Sequence, residues 1–161
     1  MFRRALAIAV VVLLVVPVLA QARGKGSRHL DGRVPSAQVQ TAGSGTITFS
    51  GRMVVNGTIP ERGTVRIRDR AGDATAHLSG EELRFRRGRV NVRRASGILF
   101  VTGSKVEVVV LGGGLTFAAA GNGRARFRGT GTYRLNADRE RAWSSRWVRV
   151  EPAKSYRRGR R

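Results

Sequence analysis

Residues 104–135 read SKVEVVVLGGGLTFAAAGNGRARFRGTGTYRL, and the last twelve of them decide the class of the fold. Ala125, Phe127, Gly129, Gly131, Tyr133 and Leu135 fall on one side of an extended chain. Arg124, Arg126, Arg128, Thr130, Thr132 and Arg134 fall on the other. Alternate residues on a helix diverge in direction, so a period of two sustained this long belongs to a strand. Asn122-Gly123 lies between two such runs and carries the residues of a type I′ turn, which needs φ > 0 at both central positions. Gly103-Ser104 and Gly112-Gly113-Gly114 are read as further hairpin turns. The stretch is therefore a glycine-punctuated antiparallel sheet with one apolar and one arginine face.

Outward from it the same pattern continues. Ile47, Phe49, Gly51, Met53, Val55, Gly57 and Ile59 share a face, which reads as one long strand, twisted or bulged. Residues 60–63 read as a turn, after which Val65 and Ile67 oppose Arg66 and Arg68. Residues 69–73 read as the next turn and 74–79 as a short strand. Leu83 and Phe85 alternate with Arg84 and Arg86, and Val90 and Val92 with Arg89, Asn91 and Arg93. Residues 98–101 are apolar on both faces, as in a central strand. Residues 147–150 read as a closing strand, with Trp143 and Trp147 over one end of the core. About nine short strands at near-regular spacing predict one all-β domain, an antiparallel sandwich or barrel, over residues 46–150. A β-helix or roll is the alternative. Phe49 and Phe127 are expected in the core.

The two ends read differently. Arg3 and Arg4, an apolar run over 5–20 and Ala20-Gln21-Ala22 make residues 1–22 an expected export signal. An uncleaved anchor is the competing reading, but the run falls short of the about 20 residues that span a bilayer. Residues 23–45, rich in Gly, Ser, Arg and Gln, read as a flexible leader, and 151–161 as a disordered basic tail. A bacterial secreted or envelope location follows from the signal. The chain has no cysteine. Disulfides, a thiolate nucleophile and thiolate metal sites are excluded.

Charge is the strongest compositional signal. Lys and Arg number 31 against 10 Asp and Glu, a formal net charge of +21. Of those bases 28 are Arg and 3 are Lys. Such an excess speaks of partners and solubility, not of fold. Arginine this abundant beside Ala, Gly and Val also fits the usage of a GC-rich genome.

No spacing among the remaining residues marks a catalytic or cofactor site. Glycine runs that join strand to strand do not offer the helix N-terminus that cradles phosphate. His77 with Glu81, Glu82 or Asp69 is the least supported reading, a hydrolase. No metal and no cofactor is expected. The arginine comb carries the functional expectation instead. Arg66, Arg68, Arg84, Arg86, Arg89, Arg93, Arg124, Arg126, Arg128 and Arg134 combine into a basic sheet surface, since residues two apart on a strand lie about 7 Å apart on one face. Like charges opposed across strands repel, and a bound polyanion relieves them. The bland reading of the same residues is a solvated face. Aromatic residues are not expected on that face, which argues against base stacking.

The glycine-turn strands, the run Gly129-Thr130-Gly131-Thr132-Tyr133 and a late tryptophan resemble secreted Gly/Arg-rich all-β proteins of high-GC bacteria. That resemblance implies export and an all-β fold, and no activity. The expectation is a non-catalytic envelope or extracellular protein that binds an anionic polymer, acidic glycan or lipid head groups. Extracellular nucleic acid is the alternative partner.

Overall fold

The computed structural model describes residues 38–136 and 138–151. The expected export signal, residues 23–37 of the expected leader and residues 152–161 of the basic tail lie outside them. The described residues are all-β and antiparallel, without a helix, in one sheet that is not closed. Its strands are β1 (Gln38–Asp69), β2 (Thr75–Leu78), β3 (Glu81–Glu82), β4 (Arg89–Leu135), β5 (Arg141–Ala142) and β6 (Trp147–Val150).

Two of these dominate: β1 has 32 residues and β4 has 47. Strands usually run about 5–6 residues. Their pairing explains the length. From Val39↔Leu135 to Thr58↔Thr116 the antiparallel register advances without a slip. On its other edge β1 pairs with β4 a second time: residues 38–43 with 115–120, 45–51 with 106–112, 53–59 with 97–103, and 64–68 with 89–93. The two strands thus form a ribbon wound on itself, each turn hydrogen-bonded to the next.

This overturns the expected hairpins. Asn122-Gly123 does not reverse the chain; Asn122 faces Arg52 in an unbroken ladder. The ribbon bends there because glycines meet across it: Gly51 faces Gly123, Gly45 faces Gly129 and Gly43 faces Gly131. Nor does Gly103-Ser104 turn the chain. Between Met53↔Gly103 and Gly51↔Val106, β1 advances two residues and β4 three, which is a β-bulge. A second bulge replaces the turn expected at Gly112-Gly113-Gly114, between Gly45↔Gly112 and Gly43↔Leu115. Residues 60–62 loop out between Ile59↔Gly97 and Gly63↔Ala95 without ending β1. Most of the expected short strands are therefore segments of two long ones, while those expected at 74–79 and 147–150 stand as separate short strands, β2 and β6. β1 also begins inside the expected leader, since Val39 and Thr41 are buried and Gly43 and Gly45 pair.

The bulges keep apolar residues inside. Along β1 the inward positions are odd throughout, from Val39 through Phe49 and Val55 to Ile67. In β4 they are odd at Leu99 and Val101, even at Val106, Val108 and Val110, and odd again from Leu115 to Phe127. Each one-residue shift exchanges the faces of a strand, so each bulge is required by the core it serves.

The wound ribbon presents two rows of segments. One runs β5, 131–135, 38–43, 115–120, 53–59, 97–103, β2, β3. The other runs β6, 123–129, 45–51, 106–112, 64–69, 89–93. Phe49 and Phe117, one from each row, bring their ring centroids to 6.3 Å, so the rows face each other across the core. Phe49 and Phe127 are fully buried, as expected. Trp143 closes one end: it stacks on Phe127 at 5.8 Å, and its Nε1–H donates to Thr41 Oγ1 at 2.7 Å and to the Thr132 carbonyl at 2.9 Å.

Candidate functional site

The row that contains residues 123–129 turns its outer side into a basic surface. Ala125 and Phe127 point inward, which forces Arg124, Arg126 and Arg128 outward. Across the neighbouring strands Arg124 continues to Ser50, Glu107, Arg68 and Arg89. Arg126 continues to Thr48, Val109, Arg66 and Asn91, and Arg128 to Thr46, Leu111, Thr64 and Arg93. Arg86 joins the first of these lines, because it and Arg89 exchange backbone hydrogen bonds of 3.0 Å. Eight of the ten predicted arginines are thereby brought to one face.

The other two are not. Arg134 lies beyond the bend at Gly129–Gly131, beside Gln40 on the outer side of the opposite row. Arg84 sits exposed in the connection between β3 and β4 and takes no place in a ladder. The alternation places both outward, but a ribbon that bends has more than one outside.

The eight fall in two groups. Arg124, Arg126 and Arg128 stand about 7 Å apart along one strand. Arg66, Arg68, Arg86, Arg89 and Arg93 form the second group, three strand spacings or about 14 Å away. Hydroxyls of Thr46 and Ser50 and the side chains of Val109 and Leu111 occupy the strip between them. Glu107 is the acid of this strip, and its ion pair is with Arg70, at 3.5 Å. No carboxylate among the described residues pairs with any of the eight.

Two residues of the face were not legible in the sequence as site members. β6 pairs with residues 123–126 and sets Arg149 beside Arg124, and Trp147 beside Arg126. Trp147 does not cover the core as expected; it is 39% exposed. The guanidinium carbons of Arg124 and Arg126 lie 4.4 and 4.6 Å from its ring centroid. Cation–π contacts at exposed sites are worth about 0.5–1 kcal/mol each. The expectation of a face without aromatics is thus corrected. Arg126 Nε is buried without a hydrogen-bond partner, so its guanidinium is held by packing on the indole. The only cue was the alternation of Trp147 and Arg149 with Val148 and Val150, which says which way they point and not whom they meet.

The residues of the hydrolase reading are placed as follows. His77 pairs with Glu82 and with Phe100, on the outside of the opposite row. Glu81 pairs with Leu78 instead. Asp69 Oδ1 accepts the amides of Ala71 and Gly72, and Oδ2 that of Ala74, which builds the turn after β1. Asp73 accepts the Ser104 amide at 3.1 and 3.2 Å. Ser104, through its side chain and then its amide, holds the Asp73 carboxyl below its ordinary range, with Arg52 adding to the effect. Among the described residues no three His, Asp or Glu side chains gather into a metal-binding group.

The chain matches no protein-family profile, no curated protein and no solved structure.

Proposed function

We propose that the arginine face binds an anionic polymer or surface of the bacterial envelope, and that the exported protein acts there without catalysis. One observation carries this: eight arginines share a face, and none of them forms an ion pair with a described carboxylate. Charges so arranged repel one another and are relieved by an anion that spans them. Export rests on the apolar run of residues 5–20 and on the resemblance to secreted Gly/Arg-rich proteins. The two facing rows are read as the layers of a flattened sandwich, which leaves one outer side free for a surface where arginine outnumbers acid.

Trp147 favours a second reading, extracellular nucleic acid, because an exposed indole can stack on a base. Two guanidiniums already lie over that ring, however, and hold it as a support for charge rather than an open platform. The test is competition at matched charge density. Wall polyanion and single-stranded DNA are titrated against the full chain and against Trp147→Leu. The envelope reading expects similar affinities for both polymers and a similar small loss for both in the variant. A loss confined to DNA would give the face to nucleic acid.

A further inference from the structure

The outer side of the other row is built on different chemistry. Across residues 38–43, 115–120, 53–59 and 97–103 no outward position is charged, in a chain of net charge +21. Ile98, Val54 and Phe100 stand on it at 59%, 43% and 37% exposure. The relief of the face is uneven. Ile98 and Phe100 form a ridge on one strand; two strands away Thr116 and Ala118 form a trough, with Thr58 and Asn56 between. Charge returns at the rim, where Glu140 accepts the Thr132 hydroxyl, and at the two ends of the line through Asn56. It begins at Arg134 beside Gln40, and it closes at Glu82 beside His77.

We propose that this face docks a second copy of the chain, about a twofold axis running along residues 53–59. Such an axis reverses the order of strands and preserves position along them. Asn56 then meets Asn56. The ridge of each copy, Ile98 and Phe100, lies in the Thr116 and Ala118 trough of the other. Three strands out on either side, Arg134 of one copy meets Glu82 of its mate. A twofold contact must be self-complementary in this sense. The pairs large with small and basic with acidic both satisfy it about the same axis.

The size of the patch sets the strength. Seven segments about 4.8 Å apart and three outward positions about 7 Å apart cover on the order of 400 Å² per copy. The two copies together bury about 800 Å², below the about 1,200 Å² at which stable specific contacts begin, so the dimer is weak and reversible. Two chains of this charge repel, and salt screens the repulsion. Dimerisation therefore strengthens with added salt, the reverse of the behaviour of a polyanion site.

The chain's lack of cysteine makes the test direct. In full-length protein Asn56→Cys sits on the proposed axis, and Asn91→Cys sits on the arginine face. Under mild oxidation the first is expected to form a disulfide dimer at least about tenfold faster than the second, because docking raises its effective concentration. Sedimentation of the cysteine-free chain at increasing concentration is expected to show a monomer–dimer equilibrium that salt strengthens. Paired substitution Ile98→Glu and Phe100→Glu is expected to abolish it; should that variant not fold, the cysteine comparison stands alone. Equal cross-linking at both positions, or a monomer at every salt concentration, overturns the proposal. So does a monomer that binds phosphatidylcholine vesicles through Ile98 and Phe100, which would make a bilayer the occupant.

Discussion

Gly45 and Gly129 face each other across the ribbon at a bend, and neither leaves room for a side chain. A β-carbon on Gly45 would run into the Arg128 carbonyl oxygen, and one on Gly129 into that of Ser44. Their φ angles of 139° and 124° are themselves costly for any other residue. Gly45→Ala and Gly129→Ala are each expected to lower unfolding free energy by more than about 1 kcal/mol. Gly72→Ala is the control: φ is 80° there, but nothing lies within 4 Å of the added carbon. Urea denaturation should rank both bend variants well below it. The double bend variant should fall short of additivity, since the two positions share one contact.

A second prediction separates the two tryptophans. Trp143 donates into the buried Thr41 hydroxyl and the Thr132 carbonyl, whereas Trp147 only carries arginines on the surface. Trp143→Phe is expected to cost about 1–2 kcal/mol through the lost donor. Trp147→Phe should stay within about half a kcal/mol. Equal losses in denaturant midpoint would contradict the placement of Trp147 outside the core.

Asp73 gives a pH prediction. Its carboxyl is held below the ordinary 3.8 by Ser104 and Arg52. A depressed folded-state value means that the unfolded chain takes up the proton first as pH falls. The stabilisation is full above the unfolded value and fades as pH drops through the lower, folded one. Asp73→Asn should therefore reduce stability at neutral pH and flatten the acid limb below about pH 4. An acid limb unchanged in the variant would show that the Ser104 contact contributes nothing.

Much of the packing was legible and much of the path was not, for one physical reason. Alternation is local, so the inward set around Phe127 and Tyr133 and the outward set around Arg124 could be read from neighbours alone. A glycine pair is ambiguous by itself. Asn122-Gly123 has the residues of a tight turn, and the same residues let two strands approach closely at a bend. Only the partner decides, and Gly51 lies seventy-two residues away, across the ladder from Gly123. The start of β1 reads as leader for the same reason: Thr41, Gly43 and Gly45 lack apolar bulk and gain a place in β1 through distant partners, Phe117 and Tyr133 for Thr41 and glycines for the other two. Membership of the arginine face follows from register too, which is why Arg149 and Trp147 were missed and Arg134 was included.

The central claim is that the face bearing Arg124, Arg126 and Arg128 is a polyanion site rather than a solvated surface. The most direct measurement is the slope of log K against log salt for the full chain on polyphosphate of defined length. Binding that releases condensed counterions falls linearly on that plot, by about 0.7–0.9 for each phosphate neutralised. Changing the three arginines together to Gln should flatten the slope by about two units with the circular dichroism unchanged. Deleting residues 157–161 should leave most of the slope in place. A triple variant that binds with the original slope, beside a tail deletion that no longer binds, would contradict the account.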